Sequence, residues 1–217
     1  MHRFWNYSDT IFPLITLGLL LPVYRTIKGH ALLLFYLLLT VLLLGYSNYL
    51  ADRRVNNMYL YHIYSFTEAA ILLPLLDVYT KRNRYISTII LLIVLAIFWV
   101  INICLFEPVE KFNSNSASIA SFLISVYCLR YFWHMVKNDE ELLKFQRLPT
   151  FWIVSGFLFY SASTVLVIGS YEYKSWFTDV NTHVVWKIQQ VANIIRFILL
   201  IIGLLCCYRQ TSRDSSL

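Results

Sequence analysis

The chain has 217 residues, of which 59% are hydrophobic and only 14% charged, and its mean hydropathy is +0.60. A soluble domain carries about 25% charged and about 45–50% apolar residues. The composition therefore excludes a soluble enzyme, a nucleic-acid-binding domain and a secreted disulfide scaffold, and its 17% aromatic content excludes disorder.

Seven stretches are long and apolar enough to cross a bilayer as helices, at about 10–24, 30–50, 57–79, 85–106, 113–136, 150–170 and 183–207. They predict one all-α, polytopic seven-transmembrane-helix bundle over residues 1–217, with no soluble domain between the spans. The first stretch lacks a small-residue cleavage site and reads as a retained helix, not a removed signal peptide. The second ends in Tyr46, Ser47, Asn48 and Tyr49. The third opens with Asn57-Met58-Tyr59-Leu60-Tyr61-His62-Ile63-Tyr64, passes Glu68 and continues as nearly pure hydrocarbon to Leu76. The fourth carries Asn102 near its end, and the fifth starts with Asn113, Ser114, Asn115 and Ser116. Tyr160, Ser161, Ser163 and Thr164 occupy the second half of the sixth. The seventh bears Trp186, Gln189, Gln190, Asn193 and Arg196 before its run of Leu and Ile.

Charge supplies the orientation. With seven crossings, the N-terminal side holds five basic residues (Arg3, Arg53, Arg54, Lys111, Lys174). The other side holds eleven, among them Arg25, Lys28, Lys81, Arg82, Arg84, Arg130, Lys137 and Arg209. The positive-inside rule then puts the N-terminus outside and the C-terminus in the cytoplasm. The net charge of +6 is thus a topology signal, and nucleic acid is not an expected partner. The bilayer is, with the plasma (inner) membrane as the location.

In this orientation the polar segments of six helices fall in the outer half. Polar groups in lipid must be satisfied internally, so they predict an outward-facing polar and aromatic cavity over an apolar inner half. Glu68 and Arg196 stand at matching depth with opposite sign, each at a cost of about 2.5–3.5 kcal/mol at the bilayer centre, and are expected to pair. Spacings of three and four put Gln189 or Gln190, Asn193 and Arg196 on one stripe, and Tyr61, Tyr64 or Ser65, and Glu68 on another. The candidate ligand-binding residues are Tyr61, His62, Glu68, Gln189, Gln190, Asn193 and Arg196, with His62 bordering the cavity. A fixed ion pair that only sets helix packing is the competing reading.

No catalytic constellation is present. The five histidines are too scattered for a zinc site, no GxSxG or Cys/His arrangement supplies a nucleophile, and the middle of the last helix has Arg196 where a retinal protein needs lysine. No metal and no cofactor is expected. The four cysteines read as small buried hydrophobes.

The segments Asn57 to Tyr64 followed by Glu68, and Asn193-Ile194-Ile195-Arg196 leading into Ile201-Ile202-Gly203, resemble a family of uncharacterised seven-helix membrane proteins of Bacteroidota-type bacteria. The resemblance implies a gene neighbourhood with a sensor histidine kinase. The expected function is a receptor or sensor subunit that binds a small polar or amphiphilic ligand and signals through a separate partner, a histidine kinase or another membrane protein, or as a homo-oligomer. The segment from Lys137 to Arg147, with its Glu140–Lys144 spacing, is the expected cytoplasmic contact. A small-solute or ion transporter is the alternative; a membrane-embedded enzyme ranks third.

Overall fold

The computed structural model describes residues 2–80, 85–137, 145–169 and 182–214. These form seven long helices, α1 (His2–Val23), α2 (His30–Asp52), α3 (Met58–Tyr79), α4 (Tyr85–Leu105), α5 (Asn115–Val136), α6 (Pro149–Gly169) and α7 (Thr182–Asp214), with no strand among the described residues. Short 3-10 turns at Tyr24–Thr26 and Phe145–Arg147 follow α1 and precede α6. Residues 138–144, most of the expected contact segment, and the Trp186 side chain lie outside the described residues.

Six helices are long and apolar enough to cross a membrane, which makes the chain a multi-pass membrane protein. The exception is α3. Its first half is the polar run from Tyr59 to Glu68, and thirteen of its 22 residues are buried. The physical reason is position: α3 packs against α2, α4 and α5, so its surroundings are protein side chains instead of lipid. At the opposite extreme α4 exposes Ile86, Ile90, Ile93, Val94, Ile97 and Ile101, an apolar face suited to lipid.

Successive helices run in alternating directions. The first turns of α1 and α3 both meet the last turns of α2, where the Tyr7 hydroxyl donates to Asp52 and Asn57 Nδ2 donates to Ser47 Oγ at 2.8 Å. At the other end the Tyr208 hydroxyl of α7 donates to the Leu19 carbonyl of α1 at 3.3 Å. Neighbour relations close a ring in the order α1, α2, α3, α5, α6, α7 and back to α1, with α4 outside it against α3 and α5. Two differences from the expected boundaries matter. Helix α1 starts at His2, not near residue 10, and α7 runs on to Asp214, past the expected end near 207.

The two ends of the ring differ in kind. The apolar end is filled by Leu33 and Leu37 of α2, Leu72, Leu73, Leu75 and Leu76 of α3, Ile153 and Phe157 of α6, and Leu200 and Leu204 of α7, all close to fully buried. The other end, formed by the N-termini of α1, α3, α5 and α7, holds the buried polar groups Ser47, Ser65, Glu68, Asn113, Thr164, Gln189 and Asn193. Between α6 and α7 the packing is closest at two glycines. A Cβ on Gly156 would lie 2.8 Å from the Arg196 carbonyl oxygen, and one on Gly203 would lie 2.8 Å from that of Pro149. Small residues that let backbones touch are the usual device for helix association in lipid, where the hydrophobic effect gives no drive.

Candidate functional site

The site is built on α7. Gln189, Asn193 and Arg196 recur at intervals of four and three, so they share one face, and the contact at Gly156 holds α6 directly against that face. One turn beyond Gly156, the ring of Tyr160 lies over the guanidinium of Arg196 at 3.7 Å. The ring of Tyr36, from α2, stands 5.8 Å away.

Arg196 is fully buried. An unpaired ion there would cost many kcal/mol, and the neighbouring helices answer most of that cost, leaving Nε without a partner. Arg196 Nη1 donates to Glu68 Oε1 at 2.6 Å, and Nη2 donates to the Tyr64 hydroxyl at 3.3 Å and to Asn193 Oδ1. Glu68 Oε1 also accepts from the hydroxyls of Tyr64 at 2.9 Å and Tyr36 at 3.3 Å. The network then reaches α1, because Asn193 Nδ2 donates to Asp9 Oδ1 at 2.6 Å. Four of the six ring helices (α1, α2, α3 and α7) thus meet at one polar knot, with α6 stacked on it through Tyr160.

Above the knot is a cavity of about 90 Å³. A water needs roughly 10–15 Å³ of such space, so the volume accommodates a small molecule or several waters. Tyr61, Tyr64, Ser65 and Glu68 of α3 line it together with Asn113, Ser121 of α5, Tyr160 and Thr164 of α6, Gln189, Gln190 and Asn193 of α7, and Asp9 of α1. Asn113 is held there from the loop before α5, where its Nδ2 donates to Ser65 Oγ at 2.5 Å and to the Tyr61 carbonyl at 3.3 Å. That loop is itself fixed by Glu107. Its carboxylate accepts from the backbone N–H groups of Ser114 and Asn115 at 3.0–3.1 Å and from Asn102 Nδ2 at 2.8 Å. A buried acid at a helix N-terminus complements the positive end of the helix, so Glu107 needs no cation.

Of the residues expected to form the site, Tyr61, Glu68, Gln189, Gln190 and Asn193 line this cavity. Arg196 lies below it, as the cation that holds its floor together. His62 faces elsewhere: it is buried, its Nε2 lies 3.1 Å from the Lys111 carbonyl, and its own carbonyl accepts from Trp99 of α4. Six residues before Glu68, it lies about 120° round the helix from it at about 100° per residue, which turns its ring toward the loop between α4 and α5. Asp9 and Asn113 were not among the expected ligand residues. Asp9 falls just outside the first apolar stretch, and its only signal is an acid at the very edge of an apolar run.

Among the described residues, no group of three His, Cys, Asp or Glu side chains is placed to hold a metal ion. What the arrangement offers chemically is a walled, mainly apolar space with a few fixed hydrogen-bonding groups. No known protein-family model, curated protein or solved structure matches the chain.

Proposed function

We propose that the chain is the ligand-sensing subunit of a membrane signalling system, with seven spans, its N-terminus outside and its C-terminus in the cytoplasm of a bacterial inner membrane. In this reading a small polar ligand occupies the cavity from the outside, and the response passes to a separate membrane partner, for which a histidine kinase is the candidate. The observation that carries it is the one-sided distribution of polarity. The cavity ends on the Arg196–Glu68 knot, and below that floor the ring interior is packed with Leu72, Leu76, Phe157, Phe197, Leu200 and Leu204. A transporter needs a polar path on both sides of its binding site, and that packed interior supports binding over passage.

Solvent access in vesicles of known sidedness tests this. In a variant freed of its own cysteines, Gln190→Cys should react with a membrane-impermeant maleimide from the outer face only, and Leu200→Cys from neither face. Labelling of Leu200→Cys from the cytoplasmic face would reveal a through-path and turn the assignment to a transporter. Labelling of Gln190→Cys from the cytoplasmic face would reverse the orientation.

A further inference from the structure

We infer that the ligand of the cavity carries an ammonium group; the inference rests on the reading of the cavity as a ligand site and adds the chemical class. The argument starts from which ends of the amide side chains are spent. Thr164 Oγ1 gives its proton to the Tyr160 carbonyl, so it can only accept from Gln189, whose Nε2 lies 2.6 Å away. Gln189 Oε1 is thereby left buried without a partner. Asn113 Nδ2 is held by the Tyr61 carbonyl, which cannot donate, and so Asn113 Oδ1 is likewise buried and unpartnered. Asn193 is oriented from both sides, by Asp9 and by Arg196. Each amide orientation follows from its neighbours, and Gln189 and Asn113, both in the cavity lining, each keep a buried acceptor without a partner.

Charge points the same way. Two carboxylates, Asp9 and Glu68, line the cavity against one arginine. The hydrogen bonds of that arginine's Nη1 and Nη2 end on Glu68, Tyr64 and Asn193. Among the described residues no lysine or arginine lines the cavity; Lys111 and Lys187, at the same end of the bundle, are exposed. An anion would therefore face two carboxylates, in a wall whose two unpartnered amide atoms are both acceptors. An ammonium group supplies three donors and one positive charge, which is the complement of that set. The walls contributed by Tyr61, Tyr64 and Phe112 suit an organic cation further, since aromatic faces attract one and give nothing special to an anion.

The full chain in lipid nanodiscs tests the inference with three probes of similar size, propylammonium chloride, propionamide and sodium propionate, with sodium and potassium chloride as further arms. The readout is protection of Gln190→Cys from maleimide, together with the shift of the thermal transition. Propylammonium should protect saturably, and propionamide and propionate should not. Asp9→Asn and Gln189→Met should each raise the half-protecting concentration at least tenfold. Asp9 is half-buried and bonded through one oxygen to a neutral amide, so its neutral variant leaves the Arg196–Glu68 pair in place. Saturable protection by propionamide or propionate would keep the cavity as a ligand site and overturn the ammonium assignment. Equal protection by sodium or potassium chloride would replace it with an alkali-ion site. Ready labelling of Gln190→Cys with no protection by any probe would overturn the ammonium assignment, and a Gln190→Cys inert from both faces in the folded protein would overturn the site itself.

Discussion

Among the described residues the bundle buries two acid–arginine pairs, and the comparison between them separates a cavity floor from a clasp. Near the apolar end, Asp77 of α3 lies 3.4 Å from Arg130 of α5 and accepts from the hydroxyl of Thr88 on α4. This pair joins the outlying helix α4 to the ring, Arg130 stacks near the ring of Tyr127 at 5.5 Å, and a quarter of its side chain is exposed. At the other end, Arg196 is wholly enclosed, its partner carboxylate accepts three hydrogen bonds on one oxygen, and a cavity opens beside it. The same two functional groups are used in both places. One arginine can fall back on water or lipid headgroups, whereas the other has only protein.

That difference sets the size of the expected effects. Glu68→Gln and Arg196→Gln each leave a buried charge without its counter-ion and should cost about 3–5 kcal/mol of stability, read as a large fall of the thermal transition in detergent. The double variant should recover part of this loss, and strict additivity in the cycle would mean that the pair is not coupled. Gly156→Ala should cost about 1–3 kcal/mol, because the new methyl group must displace the α7 backbone at Arg196. Gly18→Ala, with nothing within 4 Å of its Cβ, should change stability by less than about 0.5 kcal/mol. A similar cost for the two would show that the α6–α7 contact yields freely. Asp77→Asn should cost about 1–2 kcal/mol, clearly less than Glu68→Gln, since Arg130 keeps access to solvent; an equal loss would abolish the distinction between the pairs. Gln189→Met should cost no more than about 1 kcal/mol, because loss of the Nε2 hydrogen bond to Thr164 is offset by removal of a buried carbonyl oxygen that has no partner.

The all-helical architecture and the floor of the site are legible in the sequence because a single Glu and a single Arg interrupt long apolar runs, where each is too costly to be incidental. Spacing alone assigns Gln189, Asn193 and Arg196 to one face. What hydropathy cannot locate is an acid at the margin of an apolar stretch. Asp9, Asp77 and Glu107 all stand at such margins, where a charge in water and a charge inside protein leave the same trace in the sequence. Asp77 is the clearest case: it follows directly on the run Leu72 to Leu76, reads as the solvated end of a span, and is 2% exposed. The apolar half is therefore less purely hydrocarbon than its sequence reads. Asn113, expected as the polar start of α5, stands in the loop two residues before it, and its reach into the cavity depends on the loop conformation that Glu107 imposes, which no periodicity encodes.

The uninterrupted length of α7 has a mechanical consequence. Its 33 residues make a rod of about 50 Å at 1.5 Å per residue, against a hydrocarbon thickness of about 30 Å. Gln189 and Asn193 ride near one tip of this rod, and Arg209 lies toward the other. Because α7 is clamped to α6 at both Gly156 and Gly203, the two helices move together, and a lean of about 5° at the cavity end would carry the opposite tip sideways by roughly 2–3 Å over the length below Arg196. A lever of this kind transmits displacement without any polar path through the bundle.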